Sequence, residues 1–148
     1  MEKPINVLGR LVVIDSGHLL VVKREDWTFL PGGHVEYNEA IKDTIRRECL
    51  EEFAEEVEVG DFVGIFEHSF DPGSGPYHEL NFMFYGKMVN FCYPNLPESL
   101  EDGLEVLWID LKELEKNNFL PKEIGKIILS NFKKDGKWWS SMDEKFLI

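Results

Sequence analysis

The chain has 148 residues with 16 Lys+Arg against 28 Asp+Glu, a formal net charge of -12 and a pI near 4.7. So acidic a surface repels nucleic-acid phosphates and anionic membranes, and no basic run exceeds Lys133-Lys134. Hydrophobic usage of 43% and charged usage of 30% fit one globular unit with a real core.

Val7 to Ile14 and His18 to Lys23 are Val/Leu/Ile-rich and flank the turn residues Asp15-Ser16-Gly17, which predicts a hairpin. Trp27 to Leu30 is a short strand stopped by Pro31-Gly32-Gly33. The period then becomes helical. Asn38 is placed to cap, Glu39 and Asp43 suit the first turn, and Ile41, Ile45, Cys49 and Phe53 recur every four residues, so a helix is expected from Asn38 to about Glu56. Strand patterning follows at Val57 to Phe66 and at His78 to Val89, with the turn Asp71-Pro72-Gly73-Ser74-Gly75-Pro76 between. In the second strand Leu80, Phe82 and Phe84 alternate with Asn81, Met83 and Tyr85.

Cys92 to Gly103 is a polar loop, Glu105 to Ile109 a strand, and Leu111 to Lys116 a short helix. Lys122 to Lys133 is an amphipathic helix with Ile124, Ile127, Ile128 and Phe132 inward. The aromatic tail from Trp138-Trp139 shows no period. These elements make a mixed α+β unit spanning residues 1–148, with 134–148 as a C-terminal extension. No run approaches the roughly 20 apolar residues of a membrane span, and Cys49 and Cys92 lack CxxC spacing, so the expectation is a cytoplasmic protein with reduced thiols. His34, His68 and His78 lack zinc-ligand spacing.

The helix holds the chemistry. Glu48, Glu51, Glu52 and Glu55 fall within an arc of roughly 100 degrees. Carboxylates stacked on successive turns repel one another, and Arg47 reaches Glu51 but cannot serve them all. A hard divalent ion such as Mg2+ suits that face, because it prefers oxygen ligands, takes one or two carboxylates and leaves room for water and phosphate.

Within LPGGHVEYNEAIKDTIRRECLEEFAEEVEVG, the positions Gly33, Glu39, Arg47-Glu48, Cys49 in an apolar slot, and Glu51-Glu52 carry the spacing of the Nudix box, and the chain resembles the Nudix hydrolase family over roughly residues 5 to 115. Leu30-Pro31-Gly32-Gly33, Glu105, Trp108 and Glu113-Leu114 add to the likeness. Two positions depart from the box: Ala54 stands in place of its glycine and Glu55 in place of its apolar residue, so the helix is expected to run on into Glu55-Glu56, with Phe53 taking over the apolar contact. Asn38 replaces a glycine, a mild change because asparagine tolerates left-handed backbone.

The resemblance implies the Nudix fold, an α/β/α sandwich with a mixed central sheet, the box helix on one side and a C-terminal helix on the other. It also implies Mg2+- or Mn2+-dependent hydrolysis of the diphosphate linkage in a nucleotide derivative. By the family pattern, Glu48, Glu51, Glu52 and the Gly32 carbonyl hold the ions, Arg47 orients the carboxylates, and Glu39 supports the loop. Glu48 is the first choice of general base, with Glu98, Glu101 and Asp102 in reserve. Arg24 is a candidate phosphate contact, and Trp27, Phe29 and Tyr85 are candidate stacking residues. The partner is then a small-molecule nucleotide, with no nucleic acid or membrane. The terminal aromatic pair Trp138-Trp139 is expected to cover core or a partner subunit, which is compatible with a homodimer. Two other functions share the scaffold, a catalytically weak nucleotide-binding regulator and an isoprenoid diphosphate isomerase, the latter needing a catalytic cysteine.

Overall fold

The computed structural model describes residues 3–130 and 137–143. Its elements are β1 (Ile5–Val12), β2 (Ile14–Asp15), β3 (His18–Arg24), β4 (Trp27–Phe29), β5 (Gly32–His34), α1 (Ile41–Phe53), β6 (Val57–Phe70), β7 (Tyr77–Met88), β8 (Leu104–Asp110), α2 (Lys122–Leu129) and β9 (Trp138–Ser140). Two 3-10 turns, Leu111–Glu113 and Glu115–Asn117, replace the short helix expected there. No helix among the described residues is long and apolar enough to cross a membrane.

The predicted first strand is divided. Val13 breaks it, and the two parts join different sheets: β1 pairs in parallel with β7 and antiparallel with β5, whereas β2 pairs with β3 across a tight turn in which Ser16 and Gly17 both have positive φ. A five-stranded mixed sheet runs β5-β1-β7-β6-β9. In the second sheet β3 pairs antiparallel with β8 along its whole length and with β2 and β4 on its other edge.

Both faces of the strands are buried. On β3, Leu19 and Val21 enter one apolar cluster with Ile124, Ile127 and Ile128 of α2, while Leu20 and Val22 enter another with Ile45, Cys49 and Phe53 of α1. Period-2 alternation with apolar residues on both sides is what a strand covered on both faces requires. The sheets therefore lie between α1 and α2, the α/β/α arrangement.

Helix ends differ from the pattern for local reasons. The N-cap is Ala40, not Asn38, which instead adopts a left-handed φ of 63 in the turn before it. At the other end α1 stops at Phe53 and does not run on into Glu55-Glu56, because Ala54 itself takes the left-handed conformation (φ 50, ψ 29) that glycine would supply. Phe53 is buried, and Glu55 leaves the helix face. Its carboxylate turns inward to accept hydrogen bonds from Asn90 N at 2.8 Å and Asn90 Nδ2 at 2.9 Å. Phe132 and Lys133 lie outside the described residues. Trp138–Ser140 of the tail form β9, parallel to β6, with Trp139 buried in the α2-side cluster and Trp138 half exposed. The aromatic pair is thus split between core and surface.

Candidate active site

The loop before α1 is shaped by two glycines. Gly32 has a φ of 137, and a Cβ there would come within 1.9 Å of the Gly9 carbonyl oxygen, so only glycine lets β5 lie this close to β1. At Gly33 a Cβ would meet Glu48 Cδ at 2.5 Å; its absence lets the Glu48 side chain lie against the loop backbone. The helix and the loop are thereby joined where the acids begin.

Arg47 organises those acids. Its Nε and Nη2 donate to the two oxygens of Glu39 at 2.8 and 3.0 Å, Nη1 donates to Glu48 Oε1 at 3.1 Å and to Glu51 at 3.4 Å, and Nη2 also reaches the His34 carbonyl at 3.2 Å. Glu39 accepts further from Thr44 Oγ1 at 2.6 Å and from Glu36 N at 3.2 Å. The hydrogen bonds from Arg47 and Thr44 hold the Glu39 carboxyl down at about 2, and those to Glu39 raise Arg47. Glu39 therefore anchors the arginine that orients Glu48 and Glu51.

Glu48 and Glu52 sit differently. Burial raises Glu48 against the opposing pull of Arg47. Burial, with Glu48 and Glu101 adding repulsion, pushes Glu52 up to about 7. Glu52 Oε2 is buried and has no hydrogen-bond partner. Among the described residues no three Asp, Glu, His or Cys side chains already converge on one point, because Arg47 draws Glu48 and Glu51 to itself. The donor set still fits a hard divalent ion: a buried carboxylate oxygen lacking a partner, a neighbouring carboxylate, and backbone carbonyls.

The loop carrying the reserve acids is tied to α1, with Leu100 N donating to the Glu52 carbonyl at 2.8 Å. Its other end is held by Tyr93, which stacks on His18 at 4.0 Å, and by Trp108 Nε1, which donates to the Asn95 carbonyl at 2.9 Å. Glu101 pairs with Arg24 and lies close enough to raise Glu52. Glu98 and Asp102 are exposed. Arg24 and Trp27 face each other across the β3–β4 pair, and the pairing of Arg24 with Glu101, which with Glu48 acts on Glu52, ties β3 to the acids that Arg47 holds. Glu55 is not among those acids. Tyr85 lies elsewhere, beside Val59 and Lys87 in a separate depression.

Next to the acids is a cleft of about 340 Å3 lined by Arg10, Phe29, His68, Phe70, Asn81 and Lys122, among others. His68 and Phe70 stack with ring centroids 4.8 Å apart. Spacing rules missed Arg10; the available signal was a single charge inside the apolar run Val7 to Ile14.

The NUDIX domain family model matches residues 6–129. No curated protein matches the chain. Among solved structures, a NUDIX hydrolase from Nitrosomonas europaea is similar at 22% identity with a TM-score of 0.70, covering 92% of this chain and 93% of that one. A MutT protein from Methanosarcina mazei Go1 is similar at 21% identity and 0.70, covering 90% and 99%. An ADP-ribose pyrophosphatase from Streptococcus suis is similar at 17% and 0.60, covering 93% and 98%. At such identities the likeness is one of fold.

Proposed function

The chain belongs to the Nudix family of pyrophosphohydrolases, and from that premise we propose that it hydrolyses the diphosphate linkage of a nucleoside di- or triphosphate derivative by attack of water on phosphorus, with Mg2+ or Mn2+ as the metal. The observation that carries this is Glu52 Oε2, a buried carboxylate oxygen without a partner, with the part-buried Glu48 carboxylate beside it. Burying a carboxylate unsatisfied is unfavourable by several kcal/mol, and a divalent cation is the ligand whose chemistry removes that cost.

Glu48, Glu51 and Glu52, with the Gly32 carbonyl, are the residues that would hold the ion. When bound, the ion supplies charge neutralisation at the phosphate oxygens and a lowered pKa for water. Arg47, fixed by Glu39, sets the rotamers of Glu48 and Glu51. Glu48 accepts the proton of the attacking water: burial makes it a stronger base than a solvated carboxylate, and Arg47 holds Oε1 while leaving Oε2 for the proton. Arg24, freed from Glu101, meets the substrate phosphate. Cys49 is wholly buried and burial raises its thiol, while Cys92 is exposed on a loop, so neither thiol supports the isomerase chemistry.

Turnover of ADP-ribose in 18O-labelled water tests attack at phosphorus, and the Glu48 and Glu101 variants test the proton acceptor. Label is expected in a phosphate product, with a loss of about 10^2 to 10^4-fold in kcat for Glu48→Gln and a much smaller one for Glu101→Gln. The reverse order of the two losses would move the base to the loop.

A further inference from the structure

Arg10 stands directly across from Gly32 in the β1–β5 ladder, between the box acids and the cleft it helps to line. Among the described residues its one hydrogen bond is from Nη1 to the Leu30 carbonyl at 3.1 Å, and it forms no ion pair within 4.0 Å. Glu79, Glu52 and Glu48 act on its charge without touching it. A half-buried guanidinium has five N–H donors, and leaving most of them without partners costs free energy unless an anion takes them.

The cleft offers both rings and charge. At the far end His68 and Phe70 present a stacked pair of rings, and the carboxylates of Glu79 and Glu123, which also line the cleft, act on His68 through their charge. The end next to the box carries the guanidinium of Arg10, its fork fixed by the Leu30 carbonyl. A ligand matching both ends has an anionic group and a planar group bearing N–H donors, which describes a nucleotide lying with its phosphate at Arg10.

We propose that Arg10 is a substrate-binding residue that grips the phosphate on the nucleoside side of the scissile linkage, with the base laid on His68 and Phe70. The assignment rests on the nucleotide hydrolysis proposed above and adds the orientation of the substrate: nucleoside in the cleft, leaving moiety on the side of Arg24 and Glu101. A guanidinium fork suits a phosphate because two parallel N–H donors match two of its oxygens.

The test is calorimetric binding of ADP and of adenosine to wild type and to Arg10→Met, once in EDTA and once with Ca2+. Expected is ADP binding weakened about 10- to 100-fold in both buffers, from the loss of hydrogen bonds to a charged group, with adenosine binding unchanged. Equal ADP affinity for the two proteins, equal losses for ADP and adenosine, or no ADP binding by wild type in either buffer overturns the assignment. An ADP affinity indifferent to Ca2+ but dependent on Arg10 would instead count against the metal site alone. Should Arg10→Met fail to fold, the Arg10 Nε–H resonance of the wild type decides: a shift on ADP binding supports the contact, and no shift with ADP bound overturns it.

Discussion

Glu39 and Glu52 lie thirteen positions apart on one short segment, and their surroundings drive them in opposite directions. Glu39, held by Arg47 and Thr44 at about 2, adds stability above its unfolded value of 4.5 and loses it as pH falls toward 2. Glu52 behaves conversely. Raised by burial from 4.5 to about 7, it binds more protons in the folded than in the unfolded chain between those values, so the metal-free protein loses stability as pH climbs through that window. Thermal melts in EDTA from pH 5 to 7.5 are expected to show a falling Tm in wild type and a flatter profile in Glu52→Gln; parallel profiles would mean that Glu52 is solvated. At this scale the box residues were legible because their spacing fixes which side chains share a helix face. Arg10 was not, since nothing in a strand's alternation says whether a charged residue meets solvent or a cleft.

At the scale of elements, the end of α1 is where sequence rules and structure part. The missing box glycine predicts a longer helix, yet Ala54 adopts the left-handed cap and the chain turns as though glycine were present. Packing decided this: Phe53 is buried on one side and Glu55 is bound to Asn90 on the other, which leaves residue 54 one conformation. Left-handed backbone strains an alanine by about 1 to 2 kcal/mol, partly offset by glycine's greater freedom in the unfolded chain. Ala54→Gly is therefore expected to stabilise the protein by about 1 kcal/mol in urea denaturation without altering turnover; destabilisation would show that the cap is not strained. The hairpin at Asp15-Ser16-Gly17 was readable from its turn residues, but the division of the first strand at Val13 was not. Apolar runs buried on both faces carry no mark of which sheet they join.

For the whole molecule, the tail and the charge bear on stability and function. Three residues are too few for a period, so β9 was invisible in sequence even though Trp139 completes the core beside α2. Trp139→Ala is expected to cost about 3 to 5 kcal/mol, seen as a large fall in Tm; a loss below about 1 kcal/mol would mark the strand as peripheral. The net charge of -12 first excludes phosphate partners, but residues 36–58 hold nine acids against Lys42, Arg46 and Arg47, half of the chain's excess. Concentrated beside a cleft that ends in an arginine, that charge calls for divalent cations between protein and nucleotide. The most direct measurement is nucleotide product release over a panel of nucleoside di- and triphosphate derivatives with Mg2+, wild type against folded Glu52→Gln. Metal-assisted hydrolysis at the box predicts Mg2+-dependent cleavage of at least one panel member by wild type and its loss in the variant. Cleavage of none, or wild-type turnover by Glu52→Gln, would contradict it.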